Sequence, residues 1–420
     1  MNGKDPINDG VIAVKNRRII YAGKRSATTN IKANTKIDAK GKVALPGLIN
    51  LHTHAAMTLF RGIAEDLPLR KWLKKIIWPL EAKLKPEDVY DGALLGCLEM
   101  VKSGTTCFAD MYFHENMVAE AVQKSGLRGV LAEGIIEAGN KKQGEKMLKK
   151  SVDFIEEFDG YAEGRITAFL GPHATYSCSS ELLYNICERA FDLDVGIHLH
   201  LSESKEMSKE FEKKYGSGEV EFLDKQGLLK RHVLAAHCIN LSRKDMKILS
   251  ENCVNVAYVP VSNMKLGSGS PRINDLVDLG VNVGLGTDGP ASNNTLDMVE
   301  TMKTATLLQK LIYLDPEVLP AHEVLRMATI NAAEALKLKE EIGSLEVGKK
   351  ADIILIDMSK PHLKPLHNIY ACIVYSARGS DVDTVIVDGK IVMENRQVKT
   401  LEEQAIIEKA EKTTLDLLSR

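Results

Sequence analysis

The segment Val43-Ala44-Leu45-Pro46-Gly47-Leu48-Ile49 is an apolar run, and after Asn50 it continues into Leu51-His52-Thr53-His54. In an extended strand, residues i and i+2 point to the same side. His52 and His54 would therefore face one point in space, as two ligands of a single metal ion must. An isolated pair of this kind can equally be two ordinary polar residues. The metal hypothesis therefore depends on whether further ligands follow other strands.

Short apolar runs recur along the chain and alternate with longer amphipathic segments. The predicted strands are 43–51, 105–109, 129–135, 166–170, 195–201, 233–237, 254–261 and 281–287. Helical patterns lie between most of them, at 86–102, 141–158, 180–191 and 242–251. Eight strands, mostly followed by helices, predict an α/β fold of the (β/α)8 TIM-barrel type. A doubly wound open sheet is the alternative, weakened because no Gly-x-Gly-x-x-Gly follows the first strand.

The two ends of the chain both have β-strand patterns. Near the start, runs 11–14 and 18–22 predict a hairpin, and near the end a strand pattern at 345–357 precedes a hairpin at 383–395 that turns at Asp388-Gly389. Two closing helices, 297–310 and 322–336, come before these strands, and an amphipathic helix at 401–418 follows them. We therefore predict a barrel over 44–343. Residues 1–43 and 344–420 would form a small β-sandwich together with the C-terminal helix.

Composition excludes several classes of protein. The formal net charge is −2, so there is no basic field for nucleic acid or an anionic membrane. No apolar run approaches the roughly 18 residues that span a bilayer. The first residues, Met1 to Pro6, contain no apolar signal region. The seven cysteines are scattered without a Cys-x-x-Cys pair, which indicates reduced thiols and a cytoplasmic protein.

Histidines collect where predicted strands end. In a barrel, catalytic groups come from the C-terminal ends of the strands. Six of the eleven histidines follow this rule, and Asp288 does so after the eighth strand; the six are His52, His54, His173, His198, His200 and His237. The remaining five are interpreted as surface residues: His114, His232, His322, His362 and His367.

Three neutral imidazoles and one carboxylate suit zinc or ferrous iron better than calcium or magnesium, which prefer oxygen ligands. We assign one divalent metal ion per chain, zinc in preference to iron. Its predicted ligands are His52, His54, His200 and Asp288, which leaves one position for water. His198 shares a face with His200 and is an alternative ligand, although we favour a structural role for it.

A divalent metal lowers the pKa of a bound water from 15.7 to about 7. His237 and Asp288 are placed to take and orient the proton of that water. Glu203, three residues after His200, could reach a substrate and deliver protons. A solvated loop carboxylate is the simpler interpretation of Glu203, but its position beside a ligand favours the catalytic one.

These residues resemble those of the amidohydrolase superfamily. The resemblance rests on the segment from Pro46 to His54, on His200, His237 and Thr287-Asp288, and on Gly343-Ser344-Leu345-Glu346-Val347-Gly348-Lys349-Lys350-Ala351-Asp352. Members with two metals usually carry a lysine at the end of strand 4. Here that place reads Gly171-Pro172-His173, which implies one metal. Further motifs are similar to the methylthioadenosine/S-adenosylhomocysteine deaminases: Ala56-Met57-Thr58-Leu59-Phe60-Arg61-Gly62, Trp78-Pro79-Leu80-Glu81 and Gly171-Pro172-His173-Ala174.

The resemblance implies a hydrolase that acts on C–N bonds of cyclic amidines. Its substrates would be adenosine-type nucleosides (5′-deoxyadenosine, 5′-methylthioadenosine, S-adenosylhomocysteine or adenosine), converted to the inosine analogue and ammonia in the salvage of S-adenosylmethionine by-products. Glu81 would hold the ribose hydroxyls, His173 would contact the nucleoside, and Glu203 would protonate the purine ring nitrogen beside the amino-bearing carbon, with Asp288 also at the substrate. Without the resemblance, Glu81 is simply a helix N-terminal charge. A homo-oligomer is expected by analogy.

Two departures from the family pattern qualify this prediction. Relatives that bind the homocysteine carboxylate place an arginine at the end of strand 3, whereas here Glu133 stands there. A carboxylate facing a carboxylate is repulsive, so small neutral 5′ groups are expected to be preferred, unless Lys141 or Lys142 supplies a cation. Relatives also open with one more β-strand before the equivalent of Asn2-Gly3-Lys4.

Two rival functions remain open at this stage. One is another enzyme of the same fold, a guanine or cytosine deaminase or a triazine chlorohydrolase. The other is a catalytically inert barrel that only binds a partner. The predicted metal ligands do not distinguish a nucleoside deaminase from the first rival, but Glu81 and His173 favour a nucleoside as the substrate. An inert barrel would be expected to lack at least one of the predicted metal-binding and catalytic residues, and none of them is missing.

Overall fold

The computed structural model describes residues 6–27 and 32–420. At its centre are parallel strands that surround a buried core, which confirms the predicted TIM barrel. The strands of the barrel are β4 (Leu48–Thr53), β5 (Thr105–Tyr112), β6 (Arg128–Ile135), β7 (Ile166–Ala168), β8 (Gly171–Pro172), β9 (Ile197–Leu201), β10 (Val233–His237), β11 (Asn255–Tyr258) and β12 (Asn282–Leu285).

Backbone contacts close the barrel at two places. The order β4-β5-β6-β7 is continuous on one side and β9-β10-β11-β12 on the other. A parallel bridge between Leu170 and Ile197 joins β7 to β9. On the opposite side, the N–H of Asp288 donates to the carbonyl of His52 at 2.8 Å. The fourth barrel position is divided between β7 and β8, where one strand was predicted.

Gly47 divides the first predicted strand, 43–51, into two strands of different sheets, so this prediction of one strand was wrong. Residues before it form β3 (Lys42–Pro46), which pairs antiparallel with β13 (Ile353–Asp357), while residues after it enter the barrel as β4. A Cβ atom at Gly47 would lie 2.0 Å from the hydroxyl of Thr106. Only glycine allows the chain to pass so close to β5 as it changes sheets.

The two ends of the chain form antiparallel sheets. One is the hairpin of β1 (Gly10–Lys15) and β2 (Arg18–Lys24). The other has the order β16-β15-β14-β13-β3, with β14 (Val382–Val387), β15 (Lys390–Glu394) and β16 (Gln397–Val398). Ile19, Ile353 and Ile386 pack together between them. The predicted domain boundary between residues 43 and 44 falls inside β3. The additional β-strand of the relatives was expected just before the equivalent of Asn2-Gly3-Lys4, and these three residues lie outside the described ranges.

Helices cover the outside of the barrel. Those of six or more residues are Pro86–Ser103, Glu115–Ser125, Lys141–Phe158, Ser180–Asp192, Lys205–Tyr215, Glu219–Lys225, Arg243–Glu251, Pro260–Lys265, Ile273–Asp278, Met298–Tyr313, Ala321–Met327, Ile330–Ala335 and Glu403–Ser419. The helix predicted at 322–336 is instead two helices, because Thr329 leaves the helical region with φ −136° and ψ −95°. Within the described ranges, no helix combines the length and apolar character needed to cross a bilayer.

Candidate active site

The carboxyl ends of the barrel strands bring four histidines and one aspartate together. His52 and His54 come from β4, His200 from β9, His237 from β10, and Asp288 follows β12. The Nε2 atoms of His54 and His200 are 3.4 Å apart. Asp288 Oδ1 lies 3.3 Å from His54 Nε2 and 3.6 Å from His52 Nε2. Side chains from the first and the last strand of the barrel therefore share one centre.

Hydrogen bonds on the far side of each ring decide which nitrogen faces the centre. His54 Nδ1 donates to the carbonyl of Met111 at 2.6 Å, and His200 Nδ1 donates to the carbonyl of His173 at 2.8 Å. A carbonyl oxygen only accepts, so each Nδ1 must carry a proton, and in the neutral form of each ring the lone pair is on Nε2. His52 belongs to two groups of candidate ligands whose ligand atoms lie within 4.8 Å of one another: His52, His54 and His200, and His52, His237 and Asp288.

The atoms that face the centre fit a metal ion. His52 Nε2 and His237 Nε2 are buried and have no hydrogen-bond partner among the described residues. Buried polar atoms are nearly always paired, and an imidazole lone pair is a suitable ligand for zinc or iron. The orphan nitrogens therefore fit the metal-binding role that the sequence predicts for this cluster.

The carboxylate of Asp288 is held by its environment. Its Oδ2 accepts from the hydroxyls of Ser262 at 2.6 Å and Ser292 at 2.9 Å, which leaves Oδ1 toward the imidazoles. Although burial alone raises the pKa of Asp288, the imidazoles of His52 and His54 hold it well below its usual range. Asp288 is therefore ionised, as a metal ligand must be.

The two nearest imidazoles respond differently to this charge. Burial lowers the pKa of His54, but contact with Asp288 more than offsets it and raises the pKa to about 9. Burial lowers the pKa of His52 to about 4, so this ring is neutral at pH 7. A metal ion that binds His54 must displace a proton from it, which couples binding to pH.

Glu203 and His237 lie together beside the cluster. His237 Nε2 is 3.7 Å from Glu203 Oε1, and His237 Nδ1 donates to the side-chain oxygen of Asn263 at 2.9 Å. The Glu203 side chain is 10% exposed, and burial raises its pKa. A carboxyl group with a raised pKa holds its proton more readily than an exposed one and can donate it to a bound ligand. The pair therefore has the chemistry of a general acid and a general base.

A cleft opens above the cluster. Its wall is mostly apolar and aromatic, and none of the described residues that line it is a lysine or an arginine; they are His54, Met57, Leu69, Trp72, Leu73, Ile77, Trp78, Glu81, Met111, Tyr112, Phe113, Gly134, Ile136, His173, Tyr176, His200, Glu203, His237, Leu266 and Asp288. Such a cleft accommodates a flat, mainly uncharged ligand with a few polar groups.

Glu81 and His173 line this cleft as the sequence predicted. Glu81 ends the short helix Trp78–Glu81, and burial raises its pKa to about 7. His173 follows β8, and burial lowers its pKa to about 3, so its ring is neutral. Its Nδ1 lies 3.1 Å from the hydroxyl of Ser177. The ring of His173 lies 4.8 Å from that of His200, measured between centroids. Two polar side chains are thus available to a ligand beside the imidazole cluster.

The structure corrects the expectation for Glu133. This residue is 1% exposed and does not line the cleft, because its carboxylate accepts from Lys150 Nζ at 2.6 Å and from the N–H of Glu115 at 2.8 Å. Gly134 and Ile136 line the cleft instead. Electrostatic repulsion by Glu133 is therefore not a reason for any substrate preference. Lys141, considered as a cation, is paired with Glu181.

Other differences concern residues that the sequence pattern did not single out. Ser262 and Asn263, which the sequence analysis did not name, lie in the helix Pro260–Lys265, which starts within the run 254–261 that was predicted to be all strand. Tyr112 ends β5, so the strand-end rule could have found it. His232, predicted to be a surface residue, is partly buried and contacts the carbonyl of Ala335 at 2.8 Å.

Comparison with known proteins defines the class. The profile of the amidohydrolase family matches residues 43–392, which include the whole barrel and its imidazole cluster. The chain therefore belongs to the amidohydrolase family, as the resemblance predicted.

Individual relatives cover nearly the whole chain. A 5-methylthioadenosine/S-adenosylhomocysteine deaminase from Desulforudis audaxviator is 50% identical over 97% of this chain and 95% of its own length. A 5′-deoxyadenosine deaminase from Methanosarcina mazei is 49% identical over 99% of this chain and 95% of its own. Among solved structures, an adenosine deaminase from Xanthomonas campestris with bound zinc superposes with a TM-score of 0.93 at 32% identity, covering 99% of this chain and 95% of that one.

Proposed function

We propose that this protein catalyses the hydrolytic deamination of adenosine-type nucleosides to the inosine analogue and ammonia. The observation that carries the proposal is the position of the imidazole cluster, with Asp288, at the floor of a cleft that also contains Glu203 and Glu81. The names of the relatives, which are about half identical over nearly their whole length, support the same reaction.

His52, His54, His200 and Asp288 would hold one divalent metal ion, for which we favour zinc over ferrous iron. Three imidazoles and a carboxylate, with orphan nitrogens facing the centre, are the basis for this assignment. A bound divalent ion lowers the pKa of water to about 7 and so supplies a nucleophile at neutral pH. The zinc of the solved relative supports the choice of metal.

Glu203 and His237 would move the protons. Glu203, which burial keeps prone to protonation, would donate to the ring nitrogen beside the amino-bearing carbon C6. His237 Nε2 and Asp288 would take and orient the proton of the attacking water, since Asn263 holds the opposite nitrogen of His237. A C6–O bond forms, the proton taken from the water passes to the amino nitrogen, the C6–N bond breaks, and the nitrogen leaves as ammonia. The remaining proton of the new hydroxyl returns to Glu203 as the C6 carbonyl forms.

Glu81 and His173 would position the nucleoside. A carboxylate is a bidentate acceptor for the two neighbouring hydroxyls of a ribose, and Glu81 lines the cleft. The neutral ring of His173 would make a further hydrogen bond to the nucleoside. Because burial disfavours the charged form of Glu81, a diol that donates two hydrogen bonds to the carboxylate is a suitable partner.

We further propose that uncharged 5′ groups are preferred. Among the described residues, those that line the cleft include no lysine or arginine to pair with the carboxylate of S-adenosylhomocysteine, while Leu69, Trp72 and Ile136 offer apolar contacts. An unpaired buried charge is costly. The basis for this preference is therefore the lack of a cation in the lining, rather than repulsion by Glu133.

An ammonia-release assay with the zinc-loaded protein tests the reaction. The panel contains 5′-deoxyadenosine, 5′-methylthioadenosine, adenosine and S-adenosylhomocysteine, with guanine, cytosine and a chlorotriazine as the rival substrates. We expect stoichiometric ammonia and inosine analogue from the nucleosides, with a higher kcat/KM for the first two than for S-adenosylhomocysteine. Turnover of only guanine, cytosine or the triazine would refute the proposed reaction, and a preference for S-adenosylhomocysteine would refute the 5′ preference.

The cellular setting is also proposed. The scattered cysteine pattern of the sequence is the basis for a reducing cytoplasm, and the names of the relatives are the basis for a role in salvaging by-products of S-adenosylmethionine. Leu307, Leu311 and Leu314 are exposed along and just beyond the helix Met298–Tyr313, which supports a homo-oligomer. Light scattering on the purified chain tests the oligomer, and a monomeric mass at micromolar concentration would refute it.

A further inference from the structure

The four imidazoles of the active site each use Nδ1 to contact a partner behind them. For three of them that partner is an oxygen atom: the carbonyl of Met111 behind His54, the carbonyl of His173 behind His200, and the side-chain oxygen of Asn263 behind His237. An oxygen of this kind can only accept a hydrogen bond. Its presence alone therefore fixes the proton on Nδ1.

His52 is the exception. Its Nδ1 lies 2.8 Å from Nε2 of His198, so the partner is a second imidazole. A ring nitrogen can donate or accept, depending on which nitrogen carries the proton. Both rings are buried, with His52 0% and His198 1% exposed. The tautomers of the two rings are therefore coupled to each other.

We propose that His198 is a positioning residue that keeps its own proton on Nδ1 and accepts the Nδ1–H of His52. In this arrangement His52 Nε2 presents its lone pair to the centre, where it has no other partner among the described residues. In the reverse arrangement His198 donates, and His52 turns an N–H toward the metal. This inference rests on the proposed metal site.

The same geometry indicates which of the two histidines of β9, His198 or His200, is the metal ligand. His198 Nε2 contacts the side of His52 that faces away from the centre, and His198 is in neither group of converging ligand atoms, whereas His200 is. The backbone N–H of His198 donates to the carbonyl of Leu170 at 2.9 Å, which fixes its place in the barrel wall. His198 is therefore behind a ligand and is not itself a ligand.

Zinc affinity, measured by competition with a chromophoric chelator, tests this role without depending on turnover. His198→Leu removes the acceptor, and His198→Gln replaces it with an amide oxygen near the position of Nε2. The matched control is His232→Leu, which removes an imidazole hydrogen bond of the same 2.8 Å length outside the site. We expect His198→Leu to bind zinc about 10- to 100-fold more weakly, with the affinity largely restored in His198→Gln and unchanged in His232→Leu.

Equal zinc affinity in His198→Leu and the wild type would overturn the inference, as would loss of zinc by both His198 variants. If the wild type itself binds no zinc, the proposed function fails instead. Neutron diffraction from deuterium-exchanged, zinc-loaded wild-type crystals provides a test that needs no variant. Deuterium on Nδ1 of both His52 and His198 is the expected result, whereas deuterium on His198 Nε2 would contradict it.

Discussion

At the scale of single residues, the site depends on which atom of each side chain faces the centre. Asp288 shows how this is arranged, because two serine hydroxyls hold Oδ2 and leave Oδ1 beside His52 and His54. Supporting hydrogen bonds of this kind orient ligands and adjust their basicity. The sequence analysis singled out Asp288 and the histidines as candidate ligands but not Ser262 and Ser292, because a serine in a loop or short helix carries no recognisable pattern.

Substitutions of two neighbouring residues separate metal binding from proton transfer. His200→Ala removes one proposed ligand and is expected to reduce bound zinc below about half an equivalent per chain, in line with the 10- to 100-fold losses seen even for supporting residues. Glu203→Gln keeps the shape of the side chain but cannot donate a proton as a carboxylic acid does. It is expected to keep zinc and lose about 10²- to 10⁴-fold in kcat. Elemental analysis measures the bound zinc, and steady-state kinetics measure kcat. An unchanged kcat in Glu203→Gln would contradict the role assigned to Glu203.

The pKa of Glu81 predicts a pH dependence of substrate binding. Burial raises this pKa from 4.5 to about 7, so the carboxylate that we propose as acceptor of the ribose hydroxyls is present above pH 7 and becomes protonated below it. We expect the Michaelis constant for the substrate 5′-deoxyadenosine to fall as the pH rises through about 7 in the zinc-saturated enzyme. A 2′,3′-dideoxy substrate and the Glu81→Gln variant serve as controls and should lack this dependence. The same pH profile for both substrates would contradict the role of Glu81.

At the scale of elements, the segment after β4 covers the cleft. It comprises the 3₁₀ turn Ala55–Phe60, the helix Leu69–Trp72, a π-helical turn Leu73–Ile77 and the helix Trp78–Glu81. Its apolar side chains form much of the cleft wall, while Trp78 remains 37% exposed at the surface. This segment therefore determines much of the shape of the cleft.

One arginine ties this covering segment to the helix that follows β9. Arg70 Nη1 is 2.9 Å from Glu206 Oε1 and 2.5 Å from Glu210 Oε1. We expect Arg70→Ala to raise KM by about two- to fivefold, since exposed ion pairs contribute little, with kcat nearly unchanged. The difference from wild type should shrink at high salt because salt screens surface charges. Arg189→Ala, which removes an exposed pair within one helix, is the control, and equal effects of the two substitutions would contradict the assignment.

Sequence patterns predicted elements well where local signals exist. The amphipathic pattern predicted the helix Lys141–Phe158 with both ends, and in the structure the side chain of Asn140 caps its first turn. The run 43–51 was misread because one glycine changes the sheet without interrupting the apolar pattern. Glu133 was misplaced because side chains alternate along β6, and Gly134 faces the cleft while Glu133 faces the outer helices. Such errors depend on tertiary contacts that a single sequence does not contain.

At the scale of the whole molecule, the sheets made from both chain ends contact the barrel at the end opposite the active site. Arg128, the first residue of β6, reaches Asp352 with Nε at 3.2 Å and Nη2 at 3.3 Å. Both side chains are buried, at 5% and 2% exposure. Asp352 also accepts from the N–H of Asp388 at 2.7 Å, in the hairpin of β14 and β15.

Removal of this buried link should affect stability without affecting chemistry. Asp352→Ala leaves the Arg128 charge without its main partner, so we expect the free energy of unfolding to fall by about 3–5 kcal/mol. The kcat and zinc content should stay within about twofold of wild type, because the link is remote from the cluster. Denaturant unfolding measures the free energy of unfolding. The control is Asp153→Ala, which breaks an exposed ion pair with Lys149. A loss no larger than that of the control would contradict this account.

Anomalous diffraction at the zinc edge, from crystals of the zinc-loaded protein, tests the central claim most directly. We expect one strong peak per chain, bonded at about 2.0–2.2 Å to Nε2 of His52, His54 and His200 and to Oδ1 of Asp288. A peak bonded to a different set of residues, or no peak within the barrel, would contradict the claim that these distant side chains form one metal centre.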